Sequence, residues 1–174
     1  MNPAIPFLIG GVVAFVVILA INARKQNNCT FDERQLAGRG DAFKGGFFSL
    51  LIYVTTSELT TILMDKEWIT PDCNLALALS ISSMTFAIIC IVKEAYIGLE
   101  QNTKSTIITS SIISVTNTII GLLHMSDNKF VVVNEGRLDL DVNFTVGLAL
   151  LIVTIVLILH TRISRKSEES YEES

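Results

Sequence analysis

Five mostly apolar blocks, each close to twenty residues long, alternate with short polar segments along the chain. The blocks cover residues 4–21, 45–64, 74–92, 105–125 and 144–161. A helix of about twenty residues spans hydrocarbon about 30 Å thick, and it satisfies its own backbone hydrogen bonds inside lipid. The pattern therefore predicts an all-α fold: a polytopic membrane helix bundle with five transmembrane helices, in one domain over residues 1–163.

Two segments outside the blocks have patterns of their own. KFVVVNEGRLDLDV, between the fourth and fifth blocks, has a β-branched run, the turn signal Asn134–Gly136 and then alternating apolar and charged residues. This pattern predicts a small extracytoplasmic β-hairpin with a three-residue loop. The charged segment SRKSEESYEES, residues 164–174, predicts a disordered cytoplasmic tail.

The distribution of lysine and arginine predicts how the helices are oriented. Of the 13 basic residues, five lie between the first and second blocks, two between the third and fourth, and three after the fifth. These ten share one side of the membrane, and the other three lie on the opposite side. Because positive charge stays in the cytoplasm, we expect the N-terminus outside and the C-terminus inside.

Composition and motifs argue against several classes of function. Half of the residues are hydrophobic and 17% are charged, which leaves too little polar surface for a soluble bundle. The three cysteines are predicted at different membrane depths and form no disulfide framework or metal-binding spacing. The sequence has no H-E-x-x-H or G-x-S-x-G motif and only two histidines. We therefore predict no enzymatic activity, metal, cofactor or nucleic-acid partner.

The segment DERQLAGRGDAFKGGFF places a dense group of charges directly before the second block. Asp32 or Thr30 is expected to cap a short helix leading into that block. The segment has two interpretations: a solvated interfacial linker, or a docking surface for a cytoplasmic partner. The candidate docking residues are Asp32, Glu33, Arg34, Arg39 and Lys44.

Polar side chains inside the apolar blocks are the strongest functional indications, because they are costly in lipid. Glu58 shares one helical face with Thr55 and Thr61, and we expect this face to meet other helices. The fourth block adds a polar stripe containing Ser114, Asn117 and His124. We expect the second, third and fourth helices to pack their polar or small stripes together, with the fifth facing lipid or an oligomer interface.

This polar core also has two interpretations. In the structural one, small residues permit close packing and hydroxyl groups hydrogen-bond across or along helices. In the functional one, Glu58 forms a proton-linked site or small-solute path with Asn117 and His124. The full set of candidate residues is Glu58, Thr55, Thr61, Asn117, Ser114 and His124.

The same charged segment resembles one found in small multi-pass membrane proteins of Gram-positive bacteria. In them a DER triplet is followed by a basic residue and an A-F/Y-K-x-G/A-F-F entry into a helix. The matching positions are Asp32, Glu33, Arg34, Arg39, Ala42, Phe43, Lys44, Phe47 and Phe48. The resemblance covers about seventeen of the 174 residues and implies a multi-pass protein of the bacterial plasma membrane. That family has no assigned function.

Together these patterns predict a non-enzymatic accessory or regulatory membrane protein. Its expected partners are the lipid bilayer and a second protein or further copies of itself. The alternative is a small proton-coupled transporter with Glu58 as its intramembrane carrier. A transporter needs a water-accessible cavity that reaches Glu58, whereas an accessory protein needs an exposed helix face.

Overall fold

The computed structural model describes residues 31–98, 101–127, 133–134 and 136–172. The predicted first transmembrane helix, residues 4–21, lies outside the described residues. The helices of the described chain are α1 (Glu33–Met64), α2 (Pro71–Val92), α3 (Thr103–Asp127) and α4 (Val142–Glu172). All four are long and apolar enough to cross a membrane, as expected of a multi-pass membrane protein.

Helix α1 begins well before the apolar block that it contains. Asp32 Oδ1 accepts a hydrogen bond of 2.6 Å from the Gln35 backbone N–H, and Gln35 Oε1 accepts one of 3.4 Å from the Asp32 N–H. This reciprocal capping box satisfies two donors at the helix start, which confirms the predicted cap at Asp32. The charged segment is therefore the first three turns of the membrane helix. The helix ends where Asp65 adopts a left-handed φ of 48°.

The packing order of the four helices is α1, α2, α4, α3. Helix α2 packs against α1 on one side and against α4 on the other, and α4 also packs against α3. Buried Ala87 and Ile91 of α2 meet Val153 and Leu157 of α4 in the central core. The expectation that the second, third and fourth helices pack together, with the fifth facing lipid or an oligomer interface, is wrong, because α4 lies between α2 and α3. Leu, Ile and Val are found both in contact with lipid and in packed cores. The sequence of an apolar helix therefore does not indicate whether it lies at the centre or at the edge of a bundle.

Glycines bring α3 and α4 into close contact. A Cβ atom added at Gly147 would lie 2.6 Å from the Thr118 backbone nitrogen, and one added at Gly121 would lie 2.6 Å from Phe144 Cβ. Real Cβ atoms do not approach other heavy atoms so closely. Only glycine allows the two backbones to pack at this distance, as is common between membrane helices.

A short strand pair lies before α4. Strand β1 (Val133–Asn134) pairs antiparallel with β2 (Arg137–Leu138). Leu138 also donates to the Trp68 carbonyl and accepts from the Thr70 N–H, both at 2.9 Å. The described part of the predicted hairpin is thus held against the loop that joins α1 to α2.

Helix α4 continues to Glu172, far beyond its apolar block. The predicted disordered tail, residues 164–174, is therefore helical as far as this residue. Propagating an existing helix costs little, because only nucleation is unfavourable and lysine, arginine and glutamate are good helix formers.

Candidate functional site

The first three turns of α1 are joined to the segment that follows α2, and together they form a surface that we call the platform (Glu33–Lys44 with Lys93–Ile97). The buried Gln35 side-chain amide donates to the Glu94 carbonyl at 2.9 Å and to the Ile97 carbonyl at 3.2 Å. Glu94 itself has a left-handed φ of 55°, which side chains other than glycine rarely adopt. The two hydrogen bonds from the Gln35 side chain hold this turn in place.

Close packing and an ion pair complete the platform. Gly38 is buried, and a Cβ added there would lie 3.2 Å from the Cβ atoms of Lys93 and Ala95. Lys93 Nζ lies 2.5 Å from one carboxylate oxygen of Asp41, and Lys44 Nζ lies 3.3 Å from the other. These side chains are exposed, so the pairs orient the surface more than they stabilise it. Gly38 and Gln35 account for the fixed position of the platform.

The five candidate docking residues divide between structural and accessible roles. Asp32 caps α1, and the half-buried Arg39 guanidinium lies 3.9 Å from the centre of the Phe31 ring. That distance is typical of a cation–π contact. Asp32 is exposed despite its capping role, as are Glu33, Arg34 and Lys44.

Two large apolar side chains accompany these exposed charges on the platform. Leu36 is 56% exposed and Phe43 is 69% exposed. Apolar side chains surrounded by charged ones are typical of a protein-binding surface. The Phe43 ring also lies 4.8 Å from the ring of Phe86 on α2, which restricts its orientation.

A cavity of about 340 Å³ adjoins the platform between α2, α3 and α4. The platform residues Glu94, Tyr96 and Ile97 line it together with His160 of α4. Burial raises the pKa of the Tyr96 hydroxyl, which therefore stays neutral and serves as a hydrogen-bond donor or acceptor. The cavity offers a recess beside the exposed charges for a side chain of another molecule.

Glu58 lies on the side of α1 that faces away from α2. Its neighbour Ser57 is buried and donates to Asn74 Oδ1 of α2 at 3.1 Å, whereas Glu58 and Thr55 are exposed. Thr61 is half-buried and donates to the Ser57 carbonyl of its own helix. A carboxylate in the hydrocarbon costs about 2.5–3.5 kcal/mol, by analogy with aspartate. An exposed Glu58 is therefore unfavourable in the hydrocarbon unless protein outside the described residues covers this face.

The other predicted intramembrane residues lie on α3. Ser114 is buried and donates to the Ser111 carbonyl, while Asn117 Nδ2 donates to the Ile113 carbonyl. The exposed His124 Nδ1 lies 3.3 Å from Asp141 Oδ2, near the start of α4. Because α1 packs against α2 and α3 packs against α4, Glu58 and His124 lie on helices at opposite ends of the packing order. The structure does not bring the proposed proton-linked pair together.

Two further polar residues with defined roles were not predicted. Gln35 holds the platform, and Asn74 accepts hydrogen bonds from Tyr53 and Ser57. The capping-box spacing of Asp32 and Gln35 is a signal that identifies Gln35 as a helix-start residue. Tyr53 and Ser57 are four residues apart and share a helix face, but no local pattern links that face to Asn74.

Comparisons with known proteins place this chain in no family: no family model, curated protein or solved structure matches it. Within the described residues, no group of three His, Cys, Asp or Glu side chains is placed to hold a metal ion. Glu58 does not line the cavity beside the platform, the cavities between α2 and α4, or the one between α1 and α2. The two candidate binding surfaces are therefore the platform and the exposed face of α1 that carries Glu58.

Proposed function

We propose that this chain is a non-enzymatic accessory or regulatory protein of the bacterial plasma membrane, and that the platform is where it binds another protein. It crosses the membrane five times, with its N-terminus outside and the platform in the cytoplasm. The observation that carries the proposal is the platform itself, an ordered surface on which exposed charges surround exposed apolar side chains.

Order matters because an ordered surface loses little conformational entropy when it binds. Gln35 and Gly38 attach the first turns of α1 to the segment after α2, so Leu36 and Phe43 have fixed backbone positions. A solvated linker would need neither the buried amide nor the close packing at Gly38. The cavity beside Glu94 adds a recess of the kind that anchoring side chains occupy.

The alternative, a proton-coupled transporter, has less support from the geometry. It requires a water path to Glu58, and Glu58 does not line the cavities beside the platform, between α2 and α4, or between α1 and α2. It also requires polar or proton-accepting partners near Glu58, whereas Asn117 and His124 lie on α3, which packs against α4. Binding to another protein needs neither feature.

Site-specific photo-crosslinking in living cells tests the proposal. A benzophenone amino acid replaces Leu36 or Phe43 in the platform. The matched control replaces Ile108, which is 59% exposed and lies on α3. We expect one discrete protein adduct from both platform positions and none from Ile108.

Charge reversal then tests whether the adduct depends on the platform chemistry. We expect Arg34→Glu with Lys44→Glu to lower the adduct yield at least fivefold, while the protein level in the membrane stays unchanged. An adduct of the same mass from Ile108, or one insensitive to charge reversal, would contradict a docking role for the platform.

A further inference from the structure

We propose that the exposed face of α1 around Glu58 binds a transmembrane helix of the partner, and that a lysine or arginine on that helix neutralises the Glu58 carboxylate. The proposal rests on the proposed function, since it names the chemistry by which the same partner is held inside the membrane. It relies on a different part of α1 from the platform.

Among the described residues, this face of α1 is a continuous stripe of exposed side chains. Leu51, Thr55, Glu58 and Ile62 follow one another at intervals of four, three and four residues, so they lie on one side of α1. The opposite side is the one that packs against α2, through residues such as Ser57. In the described chain, α2 is the helix that packs against α1.

The position of Glu58 along α1 makes a lone carboxylate unfavourable there. Glu58 lies six residues before the end of α1 at Met64, a rise of about 9 Å along the helix axis. A glutamate side chain is too short to reach the water interface over that distance. An intramembrane charge of this kind needs an opposite charge or a polar neighbour.

The described residues do not supply the opposite charge. Among the described residues, no ion pair includes Glu58. Lys66 lies beyond the end of α1, where its ammonium group is next to Gly136. Residues 1–23 contain no lysine, arginine or histidine, so the apolar block 4–21 has no cation to offer. A second copy would present another Glu58, which repels the first when both are ionised.

We therefore infer from the charge of Glu58 that the partner helix carries a cationic side chain. A lysine or arginine at matching depth on another protein satisfies Glu58, and its own insertion cost is relieved by the same contact. Leu51 and Ile62, which are 45% and 72% exposed, provide the apolar packing on either side of the charge pair. Thr55 adds a hydroxyl one turn away from the carboxylate.

Synthetic transmembrane peptides test this chemistry before the partner protein is identified. The full-length protein is placed in phosphatidylcholine vesicles with a labelled Leu–Ala peptide that carries one lysine about 9 Å from its outer end. Matched peptides carry leucine or glutamate at that position, and association is measured by fluorescence energy transfer. The protein variants are Glu58→Gln, Glu58→Lys and Asp65→Asn. The last removes a carboxylate just beyond the helix end, and asparagine tolerates the left-handed backbone there.

We expect the lysine peptide to bind the native protein at least tenfold more tightly than the leucine peptide. Glu58→Gln should abolish the difference, Asp65→Asn should preserve it, and Glu58→Lys should transfer the preference to the glutamate peptide. Equal binding of the lysine and leucine peptides overturns the proposal, and is the result expected if residues 4–21 cover this face.

Tighter binding of the glutamate peptide to the native protein, or self-association that Glu58→Gln abolishes, overturns the proposal in favour of a second copy of this chain. If platform crosslinks persist in the Glu58→Gln variant, binding at the platform does not depend on the Glu58 contact. In that case a failed peptide experiment leaves the platform as the sole binding surface, and the proposed function stands.

Discussion

Replacing Gln35 with methionine should loosen the platform without disturbing the rest of the bundle. Methionine is similar in length and in helix propensity, so the change removes the amide group while largely preserving the packing. Three hydrogen bonds are lost: those from the Gln35 amide to the carbonyls of Glu94 and Ile97, and the longer one that Gln35 Oε1 accepts from the Asp32 N–H. At about 0.5–1.5 kcal/mol each, loss of the two bonds to the carbonyls alone should lower the local opening free energy by about 1–3 kcal/mol.

Hydrogen–deuterium exchange measures this loss directly. A change of about 1–3 kcal/mol corresponds to exchange that is about 5 to 150 times faster, and it should appear in peptides covering residues 31–44 and 90–98. The control is Arg34→Ala, an exposed neighbour that leaves the amide intact. Unchanged exchange in the Gln35→Met protein, or equal acceleration in both variants, would refute the role assigned to Gln35.

Two further predictions concern helix packing and orientation. Gly147→Val should destabilise the protein by about 1–3 kcal/mol in detergent unfolding, because a Cβ there would lie 2.6 Å from the Thr118 backbone nitrogen. Gly40→Ala, at a helical site with nothing within 4 Å, should leave stability equal or higher. In a protein without native cysteines, a membrane-impermeant maleimide applied to cells should label Lys66→Cys and leave Arg162→Cys unlabelled. The reverse labelling would contradict the proposed orientation.

The helices and the start of α1 were predictable because their signals are local. Length and hydropathy identified the blocks at 45–64, 74–92, 105–125 and 144–161, and each lies within a described helix. The cap at Asp32 depends on a side chain and a backbone group three residues apart, and such contacts are visible in a sequence.

The helix arrangement was not predictable, because it depends on contacts between distant residues. The polar stripes correctly indicated which residues share a face, but not which helix that face meets. Ser57 faces α2, and Glu58, the next residue, faces away from it. The polar contacts that accompany this orientation join Tyr53 and Ser57 to Asn74, which is seventeen residues after Ser57 in the chain.

One stripe on α1 joins the platform residues Glu33 and Lys44 to the Glu58 face, and Leu36 and Phe43 lie beside this stripe. Exposed residues follow at intervals of three or four along the whole helix: Glu33, Ala37, Gly40, Lys44, Phe47, Leu51, Thr55, Glu58 and Ile62. This stripe is about 44 Å long, more than the hydrocarbon thickness, so a single partner helix can contact both surfaces. Gly40 has nothing within 4 Å and permits close approach of a second backbone on the stripe. For a partner that contacts the entire stripe, binding at the two sites is linked. Loss of either contact would weaken binding at the other site, because it lowers the effective concentration of the partner there.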